Sequence, residues 1–161
     1  RLHVGVDALI DASHAVYENG RSKGGVAISL GLGVVRARSH KLTLNTKSSA
    51  ESELVTTSDD VSEAIWMREF LLGQGYDVGP AVVRQDNQAA IRLLEKGRVD
   101  SKRTKYMNTR FCFVHDRIEK GEVTLSYTRT DEMVADFFTK PLQGALFLKM
   151  RDKLLGVTSF S

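Results

Sequence analysis

Cysteine is almost missing from this 161-residue chain: Cys112 is the only one. That excludes an internal disulfide framework and any zinc cluster built from several cysteines, and it fits a reducing compartment. No stretch approaches the roughly 18 apolar residues of a membrane span. The longest uncharged apolar stretch, residues 24–35, is broken by Ser29 and four glycines. There is no signal-peptide pattern, no internal repeat and no low-complexity tract. Arg1 stands where an initiator Met would, so a piece of a longer protein is expected. Neither sign of charge dominates. The 23 Lys+Arg against 20 Asp+Glu leave +3, which permits a nucleic-acid partner without demanding one. With 42% hydrophobic and 27% charged residues, disorder is excluded as the main state. At this length one domain, residues 1–161, is expected, with a core that needs no staples.

What is present is a change of hydrophobic period along the chain. Short apolar, β-branched runs at residues 4–10, 25–30 and 34–38, with Gly31-Leu32-Gly33 as a turn, predict an antiparallel meander. Ser48 followed by Glu51 is a capping-box signature. Leu54, Val61, Ile65 and Leu72 then recur at helical spacing until Gly73 or Gly75, which predicts one long helix. Residues 81–83 and 123–127 read as later strands. Residues 87–94, 107–118, 133–138 and 145–155 read as helices. The order βββαβααβαα predicts an α/β fold: a mixed five-stranded sheet, three antiparallel strands first and then parallel ones, flanked by helices.

Four carboxylates occupy special places in that order. Asp11 continues an apolar strand, where burial is costly without a partner. Glu53 lies in the first turns of the long helix, Asp86 comes three residues after Val83 at the carboxyl end of a strand, and Asp136 sits among Met133, Val134, Phe137 and Phe138. Each has an ordinary explanation as a turn cap, a helix-dipole partner, an N-cap or an exposed helical acid. As a set, acids at strand ends and helix starts point to a divalent-metal site of the Mg²⁺ or Mn²⁺ type.

The segments around these acids are distinctive: Asp11-Ala12-Ser13, Arg21 to Val26 with Gly24-Gly25, Asn45 to Val55 with Ser48-Ser49-Ala50-Glu51-Ser52-Glu53, and Ala64-Ile65-Trp66. Gln85-Asp86-Asn87-Gln88, Arg103 to Phe111, and Ala135-Asp136-Phe137-Phe138-Thr139-Lys140-Pro141-Leu142 follow in order. Together, over roughly residues 4–155, they resemble the ribonuclease H domain of copia-type LTR retrotransposon Pol polyproteins. The resemblance implies an RNase H-like fold. It also implies endonucleolytic hydrolysis of the RNA strand of RNA–DNA hybrids by two Mg²⁺ ions, with Mn²⁺ able to substitute, giving 5′-phosphate and 3′-hydroxyl ends. It makes Asp11, Glu53, Asp86 and Asp136 both catalytic and metal-binding, with Asp11 bridging the ions. Asp7 is a rival for the first position; the spacing of Asp11 to Gly24-Gly25 favours Asp11. Many cellular ribonucleases H carry a His before the fourth acid. Here the stretch Tyr127 to Glu132 has none, a lack that copia-type domains share. His14, near Asp11, reads as structural or solvent-facing.

The resemblance also places substrate contacts. Ser48, Ser49, Asn87 and Gln88 match groove-reading positions, with Ser48 equally suited to capping. Arg38, Lys41 and Lys47 lie in an acid-free run, residues 36–47. Lys102, Arg103 and Lys105 lie in residues 101–120, where six Lys/Arg face Asp116 and Glu119, a local +4. Both runs suit phosphate binding. Trp66, Phe70, Phe111 and Phe113 read as core, and Cys112 as buried or half-buried. The expected partners are an RNA–DNA hybrid and the reverse transcriptase domain of the same polyprotein, with no membrane. The expected place is the cytoplasm, in a virus-like particle, or the nucleus. The alternative is a catalytically weak or silent RNase H-like module that binds nucleic acid and supports a neighbouring reverse transcriptase.

Overall fold

A computed structural model describes residues 4–97 and 105–158. Three strands come first: β1 (Asp7–Ser13), β2 (Lys23–Ser29) and β3 (Val34–Lys41). The long helix α1 (Ser49–Gly73) precedes β4 (Ala81–Gln85), α2 (Gln88–Lys96), α3 (Lys105–Glu119) and β5 (Val123–Tyr127). A 3-10 turn (Thr130–Glu132), α4 (Asp136–Thr139) and α5 (Gly144–Leu154) follow. The strands form one sheet in the order β3-β2-β1-β4-β5. β1/β2 and β2/β3 pair antiparallel, β1/β4 and β4/β5 parallel. This is the mixed α/β sheet that the change of period predicts.

The sheet is covered on both faces, and the period of two assigns its residues. Ala8, Ile10, Val26 and Ile28 belong to the larger core with Leu54, Val55 and Val61 of α1 and Phe111 of α3. Leu9 and Ala27 point the other way, to Met133, Val134, Ala135 and Met150. Each fully buried large apolar side chain contributes about 1.5–3 kcal/mol. Gly24 and Gly25 serve one face each. A Cβ on Gly25, which pairs with Asp11, would lie 2.8 Å from Thr139 Cγ2 and 2.9 Å from Phe138 Cβ. A Cβ on Gly24 would lie 2.8 Å from His40 and 2.9 Å from Thr56. The glycine pair thus lets α4 press onto the sheet beside Asp11, while α1 and β3 close over the opposite face.

Three expectations change. Residues 133–138 are not one helix: Met133, Val134 and Ala135 are all fully buried, three successive side chains that one helix face cannot bury together. The chain instead leaves the 3-10 turn in extended geometry at Met133 and starts the short α4 at Asp136. Trp66 and Phe70 are 63% and 50% exposed. They lie four residues apart on the outer side of α1 and stack on each other with centroids 5.6 Å apart. Cys112 is exposed on α3, between the buried Phe111 and the partly buried Phe113.

Candidate active site

Helix α1 starts where the sequence predicts. The Ser48 hydroxyl accepts the Glu51 N–H at 3.2 Å, and the Glu51 carboxylate accepts the Lys47 N–H at 2.8 Å. Beneath this cap, Ser22, Thr46 and Ser52 form a buried hydroxyl triangle with separations of 2.6–2.9 Å. His14 Nδ1 reaches Ser52 Oγ at 3.0 Å. The cluster ties the end of β1 to the start of α1, so His14 is a structural histidine here. One turn into the helix, Glu53 Oε1 accepts the Ala12 N–H at 3.1 Å, which brings the Glu53 carboxylate beside Asp11.

Asp86 arrives from the parallel strand β4. The N-cap of α2 is Asn87, whose side chain accepts the Ala90 N–H at 3.1 Å. Asp86 is therefore released from capping, and its Oδ2 accepts the Thr130 hydroxyl at 2.9 Å. Asp11, Glu53 and Asp86 each offer an oxygen, and these three lie within 4.8 Å of one another. Asp136, at the first position of α4, neighbours Asp11 but does not join that group of three. Lys140 Nζ spans Asp136 and Asp11, 2.7 Å from Asp136 Oδ1 and 3.5 Å from Asp11 Oδ2. The Thr139 hydroxyl donates to Asp11 Oδ2. Asp11 is thus common to a triad with Glu53 and Asp86 and a pair with Asp136. Asp11, Glu53, Asp86 and Lys140 border an open cleft of about 480 Å³ that Ser49, Asn87, Gln88 and Tyr127 also line, while Asp136 lies behind Lys140 and outside that lining. Asp7, the rival, pairs with Arg84 at 2.7 Å four residues back along β1.

The electrostatics are those of crowded acids. Asp11, Glu53 and Asp136 are 1%, 3% and 4% exposed. Burial first, then the charges of Asp11 and Asp86, hold the Glu53 carboxyl well above the usual range. Burial and the neighbouring Asp11 push Asp136 up to about 7, against the pull of Lys140. Burial disfavours the Lys140 charge, but Asp11 and Asp136 outweigh it and keep the ammonium above its ordinary value. Glu53 Oε2 is buried with no hydrogen-bond partner. An orphaned buried carboxylate oxygen within an all-oxygen donor set is what a hard divalent cation satisfies, so these residues fit Mg²⁺ or Mn²⁺.

No protein-family model matches the chain. In sequence it is similar to the Pol polyprotein of transposon TNT 1-94 from Nicotiana tabacum, 26% identical over 123 residues, 76% of this chain. It is 28% identical over 138 residues, 85% of this chain, to that of transposon RE1 from Arabidopsis thaliana. The chain spans 9% of the length of either relative. Among solved structures, an RNase H1 isolated from compost superposes with TM-score 0.59 at 14% identity, covering 94% of this chain and 98% of that one. The N-terminal RNase H domain of a Mycobacterium tuberculosis protein does so with TM-score 0.59 at 11% identity, covering 92% and 97%. The chain has an RNase H fold and is similar in sequence to a segment of retrotransposon Pol polyproteins.

The RNase H-fold domain gathers its predicted site residues unequally. Asp11, Glu53, Asp86, Ser49, Asn87 and Gln88 meet at the cleft. Ser48 is occupied by its cap. Arg38 faces α1, where it pairs with Asp60 and lies 3.7 Å from Glu63. Lys41 stacks over the Tyr17 ring at 4.5 Å. Lys47 is exposed just before α1, and Lys105 is exposed at the start of α3. Lys102 and Arg103 lie outside the described residues. In the second basic run, Arg110 pairs with Asp59, Arg117 with Glu122 at 3.1 Å, and Lys120 with Asp116 at 2.8 Å. Much of the positive charge there is matched internally. Sequence reasoning missed Thr130, Thr139 and Lys140 as partners of the acids, and Tyr127 as a cleft wall. Lys140 alone left a signal, its i+4 spacing from Asp136.

Proposed function

We propose that this domain is a metal-dependent ribonuclease H that hydrolyses the RNA strand of RNA–DNA hybrids during retrotransposon reverse transcription. The observation that carries the reading is the gathering of three acids, Glu53, Asp86 and Asp136, about Asp11, with Glu53 Oε2 left without a hydrogen-bond partner. Asp11, Glu53 and Asp86 would hold one Mg²⁺, and Asp11 with Asp136 a second. Bound divalent ions supply an ionised water and neutralise charge on the phosphate under attack. The chain's own groups set the frame. Thr139 and Thr130 hold Asp11 and Asp86 by hydroxyl donation. The Ala12 amide holds Glu53. Ser49, Asn87 and Gln88 rim the cleft with short polar groups, which suit 2′-hydroxyls displayed in a wide minor groove.

Two likenesses support the choice of substrate. An RNase H1 of similar fold (TM-score 0.52) and a foamy viral protease–reverse transcriptase (TM-score 0.54) are each solved with an RNA/DNA hybrid. A reverse transcriptase domain of the same polyprotein is the natural partner, in a virus-like particle within the cell. The test offers labelled hybrid, RNA duplex and DNA duplex with Mg²⁺, Mn²⁺ or EDTA. Cleavage of only the hybrid's RNA strand, stopped by EDTA, is the expected result. Binding without cleavage would instead favour the silent module, and cut DNA another nuclease chemistry.

A further inference from the structure

We infer that Lys140 is a resident counter-ion of the acidic cluster, which a divalent cation must displace, so that the domain carries an internal competitor for its own metal site. The inference rests on the metal-binding reading above. Among the described residues, Lys140 is the one Lys or Arg in an ion pair with any of the four acids. Its ammonium takes Asp136 Oδ1 and Asp11 Oδ2, the two carboxylates that a cation held by Asp11 and Asp136 would use.

Local sequence builds this placement. Residues before proline are driven out of helical geometry. Lys140 precedes Pro141 and is extended, with φ −128° and ψ 147°, so α4 stops at Thr139. The Lys140 N–H still caps the turn by donating to Asp136 O at 2.9 Å, and its ammonium reaches Asp136 Oδ1 at 2.7 Å. The side chain keeps 37% exposure. The ammonium therefore has a way out to water or to an anionic ligand in the cleft without unfolding anything. The exchange has a physical rationale. Buried acids crowded around one point repel one another, and a tethered cation lets them be assembled before any metal arrives. The same tether weakens metal binding, because ion and ammonium compete for the same oxygens.

The test titrates Mn²⁺ alone into wild type, Lys140→Gln and Lys140→Arg by calorimetry, and follows thermal unfolding in EDTA and in excess Mn²⁺. The Gln variant is expected to bind Mn²⁺ about ten-fold more tightly than wild type. In EDTA it is expected to unfold about 2–4 °C lower, a gap that Mn²⁺ closes. The Arg variant, which keeps the charge, should stay near wild type in both measurements. A Gln variant that folds only with Mn²⁺ also supports the exchange. Equal or weaker Mn²⁺ binding by the Gln variant overturns it, as does a stability loss that Mn²⁺ leaves unchanged. No Mn²⁺ binding by either protein removes the metal reading itself and this inference with it.

Discussion

Two acids on α1, Glu53 and Asp60, stand two turns apart and are almost equally buried, at 3% and 0% exposure. Their company is opposite. Asp60 faces β3: Arg38 pairs with it and His40 Nε2 lies 3.9 Å away. Glu53 faces Asp11 and Asp86. Each acid keeps one buried oxygen without a hydrogen-bond partner, Oε2 of Glu53 and Oδ2 of Asp60, so the difference lies in the charges around them. Burial raises both carboxyls. For Asp60 the nearby Arg38 and His40 then oppose the rise, whereas for Glu53 the nearest acids add to it. A buried acid supplied with its own cation fastens an edge strand to a helix. A buried acid set among acids awaits a cation from outside.

The largest break in that comparison comes from removing the shared acid. Asp11→Asn is expected to lower hybrid cleavage roughly 10³-fold, with an unchanged circular dichroism spectrum; activity near wild type would remove the assigned chemistry. Asp60→Asn should do the reverse, costing about 1–3 kcal/mol of stability by leaving Arg38 with only Glu63, 3.7 Å away. Chemical denaturation checks the loss, and cleavage below the unfolding range should stay within a few-fold of wild type. A lost activity with full stability would place Asp60 in the catalytic set.

The smallest effect concerns Glu53 and pH. The folded form holds the protons of Glu53 and Asp136 more tightly than the unfolded chain does. In EDTA, stability therefore falls as pH rises from the ordinary carboxylate range, near 4, to about 7, where Asp136 titrates. Saturating Mn²⁺ should flatten that slope. Glu53→Gln should raise the EDTA-state stability at pH 8 by ~1 kcal/mol, or about 2–4 °C in Tm, while reducing cleavage. A variant no more stable than wild type would mean that Glu53 is already compensated.

Most elements were legible because their signals are local. The capping box at Ser48 and Glu51, the alternation of residues 123–127 and the Gly24-Gly25 pair each act through near neighbours or a close backbone approach. The misread residues depend on partners far along the chain. Trp66 shares the length of α1 with buried residues yet faces outward, and periodicity along so long and partly polar a helix does not say which side meets the sheet. Arg38 reads as a phosphate grip until Asp60, 22 residues on, is seen opposite it.

The sequence by itself determined most of the order of elements and the mixed sheet, since capping, period and turn chemistry are written in adjacent residues, and it singled out Asp11, Glu53, Asp86 and Asp136 as candidates. Only the tertiary structure decided which charges are matched and which are not. Lys140 on Asp136, Arg38 on Asp60 and the orphaned Glu53 oxygen all follow from how α1 and α4 pack on opposite faces of one sheet. Charge pairing acts over a few ångströms of space, and the chain brings residues that close from more than a hundred positions apart, as Thr139 and Asp11 are.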